Sequence, residues 1–122
     1  MKVFISGKIG EEVISDPTRK KFDRVERSLL SNGYEVENPV SDSYQIALNI
    51  SHKSKKPAEI IMFNLHLLSD CDAVYMLDDW DQSSFANLML DFARIAGKEV
   101  WWQDYEDWKV FDNGSDRWVP ME

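Results

Sequence analysis

Five consecutive residues, Ala73-Val-Tyr-Met-Leu77, carry no charge and only one polar atom outside the backbone, the tyrosine hydroxyl. A run this short and apolar, closed by Asp72 on one side and Asp78-Asp79 on the other, predicts a strand buried on both faces. Such strands belong to parallel sheets with helices on each side. Beyond it, the acidic, Ser-rich loop Asp78-Asp-Trp80-Asp-Gln-Ser83 leads into a helix that starts at Ser83 or Ser84 and ends at Gly97. Helix N-termini that follow strands are where α/β folds hold anions and sugars, because free N–H groups and the helix dipole converge there.

The rest of the chain extends this pattern. Val3-Phe-Ile5 predicts a first strand, closed by Ser6-Gly7, with a loop running on to Pro17. Asp16-Pro17 reads as a helix start, a capping side chain followed by proline in the first turn. Phe22, Val25, Leu29 and Leu30 keep helical spacing, and Asn32-Gly33 supplies a stop suited to positive φ. Tyr34-Glu-Val-Glu-Asn38 alternates and predicts a second strand before Pro39. Residues 41–56 read as a mobile loop with room for a short helix. Pro57 opens a helix that turns Ile60, Ile61, Leu65 and Leu68 to the core, and Glu99-Val-Trp-Trp102 is a fourth strand. The order β-α-β-α-β-α-β predicts a Rossmann-like α/β sandwich, mainly parallel. It spans residues 1–103. Residues 104–122 form an aromatic, acidic tail whose Trp108, Phe111 and Trp118 are expected to pack on the domain or on a neighbouring subunit.

At 122 residues with a net charge of −8, the chain is expected to be one domain. It lacks the basic face that nucleic-acid binding needs. No signal peptide or membrane-length apolar run is visible, so a cytoplasmic protein is expected. Cys71, the single cysteine, beside an apolar strand, reads as a quiet thiol.

The chemical candidates gather at strand ends. Ser6-Gly7-Lys8-Ile9-Gly10 is a Gly-rich turn that lets backbone approach a ligand, although it is neither a P-loop nor G-x-G-x-x-G. Asp78, Asp79 and Asp81 crowd the exit of the third strand, where clustered carboxylates serve as acid or base, bind a metal or cap the next helix. With His52 and His66 remote in sequence, no metal site and no cofactor are assigned. Trp80 either stacks on a ligand or packs. Ser83 reads as a ligand-contacting or capping hydroxyl, having no plausible Ser/His/Asp arrangement. Met89 reads as core.

Lys2-Val-Phe-Ile-Ser-Gly-Lys-Ile9, Asn32-Gly-Tyr-Glu-Val-Glu-Asn-Pro39, Cys71-Asp-Ala-Val-Tyr-Met-Leu77 and Trp80-Asp-Gln-Ser83-x-x-Ala86 together resemble the nucleoside 2-deoxyribosyltransferase-like superfamily. The resemblance is strongest to its small bacterial and phage branch, the DUF4406 type. It implies a flavodoxin-type fold, assembly as a homodimer or larger homo-oligomer, and a nucleotide or nucleoside ligand. Active members of the superfamily cleave the N-glycosidic bond with two carboxylates: a nucleophilic glutamate six residues after a phosphate-binding loop serine, and, in the hydrolases, an acid eight residues before the strand-three aspartate. Carried onto this chain, Ser83 fits the serine and Asp72 the strand aspartate, but the nucleophile position holds Met89 and the acid position Asn64. A thioether cannot form a glycosyl ester, and an amide has no acidic proton to give a departing base. Phe85 replaces the family glycine before Ala86 and is expected to narrow the pocket. The next carboxylate on the helix, Asp91, lies about 200° around the axis from Met89.

The resemblance therefore implies a frame retaining Ser6, Gly7, Lys8, Ile9, Asp72, Trp80 and Ser83 as ligand-lining residues without the catalytic groups. Two alternatives stand beside this reading. One is an active glycosidase or transferase in which Asp78, Asp79 or Asp81 serves as a relocated carboxylate. The other is a non-enzymatic interaction module.

Overall fold

The computed structural model describes residues 1–9, 14–51, 56–104, 109–112 and 117–120, with side chains described through residue 103 except that of Ser51. In chain order the elements are β1 (Lys2–Ser6), α1 (Asp16–Ser31), β2 (Glu35–Glu37), α2 (Asp42–Ser51), α3 (Pro57–Ser69), β3 (Ala73–Met76), a 3₁₀ turn (Trp80–Gln82), α4 (Ser84–Ile95), β4 (Glu99–Asp104), β5 (Lys109–Asp112) and β6 (Arg117–Pro120). They build one sheet in the order β2-β1-β3-β4-β5-β6. Its first four strands are parallel, and β5 and β6 add antiparallel to β4. The fold is thus the Rossmann-like sandwich expected, with a mainly parallel sheet.

Alternation along the strands separates two cores. Val3, Ile5, Tyr75 and Leu77 turn to one side and meet Phe22, Val25 and Leu29 of α1. Phe4, Val74 and Met76 turn to the other and meet Leu68 of α3 and Ala86, Met89, Leu90 and Ala93 of α4. Every residue of β3 is buried, so this strand carries both layers.

Two segments differ from the expectation, and the tail carries two strands that the sequence pattern did not assign. The N-cap of α1 is Ser15, not Asp16: Ser15 has the extended backbone and its Oγ accepts from Thr18 N at 3.4 Å, which places Asp16 in the first turn. Residues 42–51 form a full helix. Ser41 Oγ caps it by accepting from Tyr44 N at 3.2 Å, and Tyr44 and Leu48, four apart, are its buried pair. Tyr44 then packs its ring 5.5 Å from that of Phe63 on α3. In the tail, the backbones of Lys109–Asp112 and Arg117–Pro120 lengthen the sheet. Trp108 lies outside the described residues. So do Gly10 and His52. Gly33 and Gly97 both take positive φ, 87° and 75°, where the sequence places the ends of α1 and α4.

Two buried protonated groups set an alkaline limit. Burial first of all pushes the Cys71 thiol up to about 11, Lys2 and Lys98 pulling against it and Glu37 and Asp70 adding to it. Burial likewise pushes Tyr44 up to about 12, with the Asn64 amide opposing and Glu37 adding. Both groups hold their protons more tightly folded than unfolded. Their contribution is therefore complete below the ordinary thiol value of 9.0 and is lost as pH rises through 11 and 12. We expect the urea midpoint to fall between about pH 9 and pH 11, and to fall less steeply in Cys71→Ala; an unchanged slope in that variant would remove Cys71 from the account.

Candidate functional site at the carboxyl edge of the sheet

In a sheet ordered β2-β1-β3-β4, the chain leaves β1 toward one side and β3 toward the other, and the crevice between their carboxyl ends is where open α/β sheets bind ligands. The register Ser6↔Met76 brings the tips of β1 and β3 side by side, and Leu77 N donates to Ser6 O at 2.8 Å. Gly7 then lies against Leu77. A Cβ there would meet Leu77 Cδ1 at 2.6 Å and Leu77 Cβ at 2.9 Å, so no side chain fits.

The turn after β1 is tied to the loop after β3 by one carboxylate. Asp79 Oδ1 accepts from Lys8 N at 3.0 Å. Its Oδ2 pairs with the ammonium of Lys21 on α1, which also donates to Lys8 O at 2.8 Å. Lys8 Nζ reaches Gln82 Oε1 at 3.4 Å. Lys21 and Gln103, which accepts from Asp78 N at 3.0 Å, carry no motif in the sequence, and Gln82 has no role assigned within its own. Their roles depend on the tertiary approach of α1 and β4.

Ser83 caps α4: its Oγ accepts from Ala86 N at 3.1 Å, and Asn87 Nδ2 closes the turn on Ser83 O at 2.9 Å. Trp80 is half-buried, its ring 5.2 Å from Trp102, and Arg94 lies 5.8 Å from the Trp102 ring on that side. Ile9 packs against the α1-side core. Asp78 and Asp81 are exposed. Asp72, which the resemblance places among the ligand-lining residues, is not at this edge. Asp72 precedes β3 at the opposite end of the sheet, where its Oδ2 accepts from Lys2 N at 2.8 Å and its own N–H donates to Lys2 O at 2.8 Å. The structure thus brings Ser6, Gly7, Lys8, Trp80 and Ser83 to one edge and leaves Asp72 out.

Met89 and Asn64 lie in the layer between the sheet and α3/α4. Met89 is 0 % exposed. Asn64 is 1 % exposed, its Nδ2 donates to Ile60 O at 2.8 Å, and its Oδ1 has no hydrogen-bond partner. Ser6 Oγ, buried on that same face by alternation with Phe4, also has none. Phe85 is half-buried against this layer. Asp91 is exposed, as its place around the helix implies. Tyr75 OH and Trp101 Nε1, on the α1 side, are two further buried atoms without a partner; burial, with Asp78 adding, holds the Tyr75 phenol well above its ordinary range.

Two cavities lie at the other margin, beside β2. One of about 200 Å³ is lined by Glu37, Asn38, Tyr44 and Phe63 among others. An open one of about 530 Å³ is lined by Arg19, Asp23 and Arg27 among others. Asn38, which lines the smaller one, is buried and its Nδ2 donates to Asp23 Oδ1 at 3.0 Å and to Glu26 Oε1 at 2.8 Å, Glu26 lining both. Among the described residues no group of three or more His, Cys, Asp or Glu could hold a metal ion, and no helix is long and apolar enough to cross a membrane.

The Gly7 contact makes a direct prediction. Gly7→Val should lower stability by ~1–3 kcal/mol through overpacking, read as a reduced urea midpoint. Leu77→Ala in the same chain should cost less than the two separate losses together, because both changes act on one contact.

No curated protein matches this chain. Residues 1–102 match the family described as Domain of unknown function (DUF4406). The match covers β1 to the fourth residue of β4 and includes the whole crevice with its Asp79 tie. The protein is a member of the DUF4406 family.

Proposed function

We propose that this chain is a nucleoside 2-deoxyribosyltransferase-like domain that binds a nucleotide or related phosphorylated metabolite at the carboxyl edge of its sheet and does not cleave the N-glycosidic bond. The observation that carries this reading is Met89. At the position that the resemblance gives to the attacking glutamate, a thioether is packed at 0 % exposure among Val74, Met76, Ala86 and Leu90. It has no carboxylate with which to form a glycosyl ester, and at 0 % exposure it is out of reach of a sugar. Asn64, at the position of the acid, spends one N–H on its own helix and has no proton to lend a departing base.

The relocated-carboxylate alternative finds no support in the geometry. Asp79 already has both oxygens engaged, by Lys8 N and Lys21. Asp78 and Asp81 face water, outside any enclosed pocket that would hold a sugar against them.

Binding is supported at the carboxyl edge rather than in the layer behind it, where Ser6 Oγ and Asn64 Oδ1 are buried without a partner beside the closed packing of Met89. Ser83 holds the start of α4, a twelve-residue helix whose N-terminal dipole favours an anion. The homo-oligomer is part of the same proposal. The outward face of α4 carries Leu88 and Ile95, the latter 89 % exposed, seven residues apart and thus on one stripe.

Chromatography of mixtures with deoxynucleosides and deoxynucleoside monophosphates should show no free base. Release that disappears in Asp78→Asn, Asp79→Asn or Asp81→Asn would overturn the non-catalytic reading. Calorimetric titration with the monophosphates should show binding, and its absence across the panel would overturn the ligand. Sedimentation equilibrium should find a dimer or larger species in the wild type and a monomer in Ile95→Glu.

A further inference from the structure

We infer that Lys8 and Lys21 form an anion site in the β1–β3 crevice, and that Asp79 occupies it as a built-in competitor which a phosphate monoester must displace in order to bind. This inference rests on the ligand reading above and adds to it a residue, Lys21, and a form of regulation.

The carboxylate of Asp79 is held by two kinds of donor, the backbone N–H of Lys8 at 3.0 Å and the ammonium of Lys21. A backbone amide in a Gly-rich turn together with a cation is the donor set by which loops hold phosphate oxygens. Its placement is that of a ligand rather than of a structural cross-link alone. It sits over the crevice between the parallel strand tips, and Gly7, bare of a side chain against Leu77, brings the Lys8 amide there. The third donor nearby, Lys8 Nζ, meets only the neutral Gln82 Oε1, at 3.4 Å, with no carboxylate partner among the described residues. Lys21 Nζ keeps a second acceptor, Lys8 O at 2.8 Å, so its ammonium stays in place when the carboxylate leaves.

The competition is finely set. The Lys21 and Asp79 side chains are 27 % and 20 % exposed, partly screened by water, so the pair is neither locked by burial nor lost to solvent. Exposed Asp78 and Asp81 flank the site. A free anion therefore approaches against like charge, and a phosphate carried on a larger molecule has additional contacts, such as the half-buried Trp80, with which to outweigh it. Because Asp79 also fastens the β3 loop to the β1 turn, displacement unties the two loops at the moment the ligand enters.

Asp79→Asn is the informative change. It keeps an oxygen for the Lys8 N–H and removes the charge that competes. Calorimetric titration should show deoxynucleoside monophosphates binding about tenfold more tightly to Asp79→Asn than to wild type, the size of one modest charge contact. The matching deoxynucleosides should bind both proteins alike, and Lys21→Met should abolish the gain in the double variant. Inorganic phosphate is titrated in parallel. A comparable gain there assigns the site to the phosphate group alone, and a gain limited to the monophosphates assigns it to the whole nucleotide; both support displacement. If wild type binds a monophosphate and folded Asp79→Asn binds it no more tightly, the competitor falls while the ligand reading stands. If neither protein binds any phosphate, both fall. Should Asp79→Asn not fold, the Lys8 amide resonance of wild type serves instead: saturation with a monophosphate should shift it as the carboxylate is exchanged for phosphate, and binding without that shift overturns displacement.

Discussion

The pairing of β1 with β3 is the constraint on which the rest depends. Val3 to Ser6 lie in register with Ala73 to Met76, and this places the two apolar runs of the chain at the centre of the sheet. Each strand then offers alternate side chains to the two helical layers, so seven of these eight residues, all but Ser6, anchor the two cores. The pairing also fixes where the loops meet. It requires a bare glycine at position 7, because Leu77 occupies the space that a Cβ would take. The Lys8 amide can face Asp79 only because that contact is so close.

Chemistry at the edge follows from the same arrangement. The loop after β3 carries three aspartates, which in isolation look like a pool of acids and bases. Folding gives them different work. Asp79 is enclosed by cationic and amide donors, Asp78 lends its backbone to Gln103 and turns outward, and Asp81 stands in water. On the opposite side of the sheet, the positions that the resemblance marks for catalysis are absorbed into packing, Met89 wholly and Asn64 except for one oxygen. That layer is closed by the groups that stabilise the fold.

Much of the architecture was legible because it rests on local signals. Apolar runs marked β1 and β3, and Asn32-Gly33 and Gly97 marked helix ends that the backbone takes at positive φ. The segment from 42 to 51 was harder, since Tyr44, Ile46, Leu48 and Ile50 satisfy a period of two as well as helical spacing. The Ser41 hydroxyl decides for the helix by capping it. The site was legible only in part. Ser6, Gly7, Lys8 and Ser83 follow from their places beside strand ends, but Lys21 sits on a helix face among other basic residues, and its partner lies 58 positions away. Asp72 was named from the resemblance alone; the fold puts it at the amino end of β3, where it accepts from Lys2 N.

The hairpin beyond the family match changes what kind of surface β4 presents. Strands at the margin of a sheet expose unpaired N–H and C=O groups and invite pairing with other chains. In this protein that margin has moved outward by two strands, since β5 pairs with β4 and β6 with β5. On the far side the margin is β2, only three residues long and too short to template much growth. The two ends of the sheet thus guard against polymerisation by different means, one by brevity and the other by handing the exposed ladder to a strand, Arg117–Pro120, that ends in a proline.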